Sequence, residues 1–291
     1  MTHMLTLVAD RSATTLSPAV IARVRAAVQG GEPVILSPGE ACDIPTRAWP
    51  DMFAVEAALE GLPIDAIPTK ARNRRKGLLV ADMDSTMVTT ETLDEIAELA
   101  GIGAEIKAIT QQSMNGEVDF ETSLRRRVAM LKGRSLGLLE DTWARTRLTP
   151  GGRELVATMR AHNATTALVS GGFTFFTGKV AELVGFDVHR ANTLLDDGEA
   201  LTGEVGSPVL DRDAKLTILT ELAEARGLKL TATLAVGDGA NDLAMLRAAG
   251  LGIAFHAKPV VAREVSTRVD HADLRALLFA QGYGVELFRE M

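Results

Sequence analysis

Residues 77–86 read Gly77-Leu78-Leu79-Val80-Ala81-Asp82-Met83-Asp84-Ser85-Thr86. An unbroken apolar run ends on two aspartates one residue apart. The run is short and does not alternate, which predicts a strand covered on both faces, as in a parallel sheet, rather than a half-exposed strand or a helix. Similar runs recur at 165–169 and 231–236, and a shorter one at 251–254. The first three each end in a polar cluster and lead into a helical pattern. That repeat predicts an α/β fold with a Rossmann-like, doubly wound parallel sheet and its functional residues beyond the carboxyl ends of the strands.

Working outward, residues 90–100, 104–114, 119–131 and 135–143 carry helical periodicity. The third is capped by Asp119, with Thr122 at its third position. Residues 88–148 therefore read as a helical cap inserted after the first strand of a core made of 76–87 and 149–291. A second insertion, 188–210, carries Asp-Asp-Gly and Thr-Gly turns and predicts one or two hairpins. Before the core, strands at 5–8, 33–36 and 64–67 alternate with helices at 17–28 and about 50–60. Ser17 caps the first helix and Pro18 occupies its first position. This βαβαβ string predicts a small α/β domain over residues 1–75, joined through the basic stretch Lys70–Lys76.

Composition narrows the function classes. The chain of 291 residues has a net charge of -7 and is 46% apolar. The acidic balance argues against nucleic acid or an anionic membrane as partner and leaves a small anionic substrate open. The lone Cys42 excludes an intrachain disulfide and a zinc cluster. The first residues lack the pattern of a signal peptide, and no run approaches a membrane span, so the expectation is a cytoplasmic enzyme.

The clusters at the strand ends supply the chemistry. A pair of carboxylates suits phosphate-ester hydrolysis: one attacks phosphorus, and the other protonates the leaving oxygen and then activates water. A single aspartate after a strand more often caps a turn or holds a metal. Ser170-Gly171-Gly172 offers a hydroxyl and backbone donors to phosphoryl oxygens. Lys215 can neutralise charge on nucleophile and phosphoryl group. Gly237-Asp238-Gly239-Ala240-Asn241-Asp242 forms a set of hard oxygen donors suited to magnesium, without the twelve-residue helix-flanked pattern of a calcium loop.

Taken in order, DMDST, SGG, Lys215 and GDGANDL resemble the haloacid-dehalogenase-like phosphatases, and among them the phosphoserine phosphatases, over about residues 77–285. The resemblance implies Asp82 as nucleophile and Asp84 as general acid and base. It implies Mg2+ held at Asp82, Asp84 (through its backbone carbonyl), Asp238 and Asp242. Ser170, Gly171, Lys215 and Asn241 would bind the phosphoryl group. In the cap it implies Glu91 against a substrate ammonium, Arg127 against a carboxylate, and Met114 with Phe120 as an apolar wall. The implied substrate is O-phospho-L-serine, with a homodimer allowed. The other readings on the same scaffold are a phosphatase for a different small phosphomonoester and a homoserine phosphotransferase. The amino-terminal unit is expected to be a degenerate ACT-like module, one strand short of that pattern.

Overall fold

The computed structural model describes residues 2–114 and 117–290. Its first elements are β1 (His3–Ala9), α1 (Pro18–Ala27), β2 (Val34–Ser37), β3 (Ala41–Thr46), α2 (Met52–Leu59) and β4 (Ile64–Lys70). The strands form an antiparallel sheet in the order β2-β3-β1-β4. The element order is thus βαββαβ, one strand more than the sequence pattern predicts. β3 escapes that pattern because Asp43 and Pro45 interrupt its apolar character. Pro45 is tolerated because β2 pairs with β3 only from Ala41 to Asp43, so the missing N–H opposes no acceptor in that strand.

The two-residue strand period assigns this sheet two apolar faces. Leu5, Leu7, Ala9, Cys42 and Ile44 pack under α1 and α2 against Val20, Val24, Val55 and Leu59. Val8, Leu36, Ala41 and Ile67 point the other way and join the main core of the molecule. Polar ties reinforce that contact. The buried carboxylate of Asp65 accepts the backbone N–H groups of Asp270 and Ala272, each at 2.7 Å. Arg275 forks onto Glu40 at 2.8 and 3.0 Å, and Arg74 reaches Asp43.

The chain then enters β5 (Leu78–Ala81), and four helices follow: α3 (Thr92–Leu99), α4 (Gly103–Met114), α5 (Phe120–Ala129) and α6 (Gly137–Arg145). The two stems of this helical block pair with each other, Thr89 N–H with the Arg147 carbonyl and Thr149 N–H with the Met87 carbonyl, both at 3.0 Å. Asp119 caps α5 by accepting the Thr122 N–H at 2.9 Å.

The core continues through α7 (Gly152–Ala161), β6 (Thr165–Phe173), α8 (Thr174–Val184), β7 (Val188–Asn192), β8 (Leu194–Asp196) and β9 (Leu201–Val205). It closes with α9 (Arg212–Ala225), β10 (Thr233–Gly237), α10 (Leu243–Ala248), β11 (Leu251–Phe255), α11 (Pro259–Ala262), β12 (Arg268–Val269) and α12 (Ala276–Ala280). The six-stranded sheet is parallel throughout, in the order β12-β11-β10-β5-β6-β7. This is the expected doubly wound α/β fold. Of the second insertion only β8 and β9 form a hairpin, and its first residues instead supply the edge strand β7. From β5 the chain winds outward to β6 and β7, then returns to β10 on the other side. The crevice at that reversal, beyond the carboxyl ends of β5 and β10, is where such sheets bind their ligands.

Candidate active site

The last ladder bond of β5 fixes the first acid. Asp82 N–H still donates to the Val236 carbonyl at 3.0 Å, so its buried side chain leaves the sheet at the crevice. The chain then turns sharply through Ser85, whose φ of 55° lies in the left-handed region. The turn returns Asp84 to the same side. One Asp84 oxygen accepts the Thr92 N–H at 2.8 Å at the start of α3, and the other faces the Ser170 hydroxyl at 3.3 Å.

From the neighbouring strand, Asp238 and then Asp242 enter the same space. Carboxylate oxygens of Asp82, Asp238 and Asp242 lie within 4.8 Å of one another. Lys215, on the first turn of α9, places its buried ammonium 2.6 Å from both Asp82 and Asp242. The second oxygen of Asp242 accepts the Gly239 N–H at 3.0 Å. Asn241 folds its amide oxygen so closely over Gly239 that a side chain there would overlap it.

Burial, then the charge of Asp242, pushes the Asp82 carboxyl above the usual range, with Lys215 opposing. Burial and the charges of Asp82 and Glu91 raise Asp84 to about 7. Burial alone would lower the Lys215 ammonium, but Asp242 and Asp82 more than reverse this. Of the three buried carboxylates, two share the buried Lys215 ammonium and Asp238 meets only a half-exposed lysine, a deficit of buried positive charge that a hard divalent cation fits by charge and by donor type.

Ser170 does not lie past the end of its strand, as the apolar run 165–169 suggests. β6 runs on irregularly to Phe173, with a register shift between Val169 and Phe173. The Ser170 hydroxyl accepts the Gly172 N–H at 2.9 Å. Gly171 and Gly172 are both crowded: a Cβ would stand 3.3 Å from the Phe120 ring at the first and 3.0 Å from Asp84 at the second, so either side chain would have to give way. Phe120 of the helical block therefore rests directly over this segment.

Glu91 precedes α3 and accepts the Ser85 hydroxyl at 3.1 Å. Arg127 lies on α5, where its Nε donates to the Ser123 carbonyl at 3.3 Å. Burial lowers its pKa, while the charges of Asp94 and Glu91 oppose that shift. Met114 ends α4, and its side chain falls outside the described residues. Asp84 contributes no side-chain oxygen to the acidic trio.

One participant is absent from the sequence reading. Lys258, at the turn after β11, sets its ammonium 2.9 Å from Glu91 and 3.2 Å from Asp238. The available signal was its place after the fourth core strand, in Ala257-Lys258-Pro259, at the same end of the sheet as the other clusters. Thr86 also reaches Asp238, at 3.4 Å.

Known proteins resemble this chain in sequence and in fold. A model of the haloacid dehalogenase-like hydrolase family matches residues 79–247. A phosphoserine phosphatase of Streptomyces coelicolor is 42% identical over 231 residues, covering 79% of this chain and 56% of that protein. One of Methanocaldococcus jannaschii is 41% identical over 70% of this chain and 97% of its own length. The structure of a probable phosphoserine phosphatase from Vibrio cholerae superposes with a TM-score of 0.81 at 33% identity, covering 98% of this chain and 88% of that one. The chain spans 56 to 64% of the length of four of the curated relatives that it matches.

Proposed function

The chain belongs to the haloacid dehalogenase-like hydrolases, and from that membership we propose that it hydrolyses O-phospho-L-serine to L-serine and phosphate through an aspartyl-phosphate at Asp82. The observation that carries this reading is the division of surroundings between the two acids of one turn. Burial raises both carboxyls to about 7, but Asp82 touches the buried Lys215 ammonium at 2.6 Å, which favours its ionised form, whereas Asp84 has no ion-pair partner among the described residues to draw off its proton. The first environment suits a nucleophile and the second an acid that gives and regains a proton near neutral pH.

Asp82 attacks phosphorus in line while Lys215 offsets charge on the attacking carboxylate and the phosphoryl oxygens. The bond from phosphorus to the serine oxygen breaks, and Asp84 delivers its proton to that oxygen. Asp84, now ionised, takes a proton from water as the water attacks the aspartyl-phosphate, which returns both acids to their starting states. The Ser170 hydroxyl and the Gly171 backbone N–H line the phosphoryl position. Asp82, Asp238, Asp242 and the Asp84 carbonyl would hold Mg2+, which supplies electrostatic shielding between the carboxylate and the phosphate dianion.

Glu91 and Arg127 take the amino-acid end of the substrate, the acid facing its ammonium and the guanidinium its carboxylate. Phe120 and Met114 close the apolar side, and Asn241 completes the phosphoryl pocket. The amino-terminal unit, residues 1–75, we read as an ACT-like module used here for packing, because the sheet face away from its helices is committed to the main core. A screen of small phosphomonoesters with and without Mg2+, including both enantiomers of phosphoserine, tests the substrate. Phosphate release should be fastest from the L-enantiomer with Mg2+, and a preference for an ester lacking the amino-acid end would overturn the assignment.

A further inference from the structure

At the opposite end of the six-stranded sheet lies a cleft of about 640 Å³, between the 70–76 connector and the residues that lead into β10 and β11. Lys70, Arg72, Arg75, Lys76 and Trp49 line it. The connector's charges are unevenly answered. Arg74 is taken by Asp43, and Arg247 on the far wall by Glu264. Among the described residues no carboxylate pairs with Lys70, Arg72, Arg75 or Lys76. Lys76 instead donates to the Asn73 and Thr231 carbonyls at 3.0 and 2.8 Å. Burial and then the charge of Lys70 hold its ammonium below the usual lysine range.

Two further features point to a ligand. Thr69, on the cleft wall and 7% exposed, keeps a hydroxyl with no hydrogen-bond partner, which is uncommon for a buried polar group. Trp49 offers a half-exposed indole at the rim, where its edge-to-face contact with His3 fixes the ring. Arg75 lies over the Tyr283 ring at 4.3 Å and Lys76 is held by carbonyls, yet four cations without a carboxylate partner among the described residues stand out in a concave site on a chain of net charge -7. The volume lies in the range that encloses a small molecule, and the acidity of the whole chain disfavours a long nucleic acid.

We propose that this cleft binds a small polyanion carrying two or more phosphate groups, at a site separate from Asp82 and independent of the chemistry there. Replacing Trp143 by Phe leaves Trp49 as the sole tryptophan, so its fluorescence reports on the cleft. Titration with inorganic tripolyphosphate and with ATP, without Mg2+, should give a saturable change that persists in an Asp82→Asn background. Lys70→Glu combined with Arg72→Glu should weaken it at least tenfold while leaving the thermal melt in place, since neither exposed side chain holds a structural contact. Thr69→Val should weaken it without any change of charge.

Tighter binding of ATP than of tripolyphosphate would identify a nucleotide, and equal binding a free oligophosphate; either upholds the site. Absence of saturation at millimolar ligand, equal affinity in the charge-reversed variant, or binding of single-stranded RNA alone would overturn it.

Discussion

The ammonium of Lys258 stands 2.9 Å from the Glu91 carboxylate, so a residue of the turn after β11 grips the acid at the base of the helical insertion. The same ammonium lies 3.2 Å from Asp238. It therefore sits between the acid proposed for the substrate ammonium and an acid proposed for the metal. Both carboxylates must release or share it as substrate and metal arrive. Lys258→Met should lower the Mg2+ concentration needed for half-maximal binding several-fold, read directly by calorimetry. The half-exposed ion pair itself contributes only about 0.5 kcal/mol to stability, so the melting temperature should change little. Weaker Mg2+ binding in the variant would show that Lys258 assembles the site instead of competing for it.

Asp84 differs from Asp82 in what it must do with a proton, and leaving-group chemistry separates the two. A serine alkoxide needs a proton as it departs, whereas a nitrophenolate does not. Asp84→Asn should therefore lose phosphoserine turnover by roughly three orders of magnitude, at the middle of the range expected for one acid-base group. With p-nitrophenyl phosphate the same variant should still release a burst of nitrophenolate stoichiometric with enzyme, then stall because no base activates water. In the unaltered protein, aspartyl-phosphate formation from phosphoserine should fall as pH rises above about 7, the value to which burial and then Asp82 and Glu91 raise this acid. A burst missing from Asp84→Asn would remove the assigned role.

How far the sequence showed this site depends on how local each feature is. Leu78–Ala81 were recognisable because a strand buried on both faces cannot alternate, and Asp82 and Asp84 followed directly from that strand. β3 was not, because a buried Asp43 and a proline look like loop residues until Arg74 and Thr6 are placed beside the carboxylate. Both partners lie more than thirty residues away. The extended conformation of Ser170–Gly172 was hidden similarly. Its glycines answer to Phe120 and Asp84, contacts that only tertiary structure supplies. Lys258 carried only its place after the fourth core strand, since the acids that hold it come from a different strand end and from the helical insertion.

Without metal, the acidic trio should make the protein less stable as pH rises. Burial raises Asp82, Asp238 and Asp242 above their unfolded values, so the folded state binds more protons than the unfolded chain between about pH 4 and 7. Under that sign, unfolding free energy decreases as pH increases through the window. Mg2+ binds the ionised carboxylates, so its stabilising effect should run the other way and grow with pH. Thermal melts from pH 5 to 8 in EDTA and in excess Mg2+ should therefore diverge. Parallel curves would mean that these carboxylates do not hold the cation.

Arg127 is the side chain whose proposed role depends most on the substrate. The charges of Asp94 and Glu91 act on its guanidinium, yet the one direct bond it makes among the described residues is to the Ser123 carbonyl within its own helix. The fork is therefore free to meet a carboxylate, and the nearby acids hold it ionised against the burial that opposes charge. Losing a hydrogen bond between charged groups costs about 1.5–3 kcal/mol. Arg127→Ala should accordingly reduce kcat/KM for phosphoserine about 10- to 100-fold and leave p-nitrophenyl phosphate, which has no carboxylate, within a few-fold of normal. Arg127→Lys should recover only part of the loss, because a point charge cannot reproduce bidentate contact. If both substrates lose the same factor, the arginine supports the helical insertion and does not read the amino-acid end.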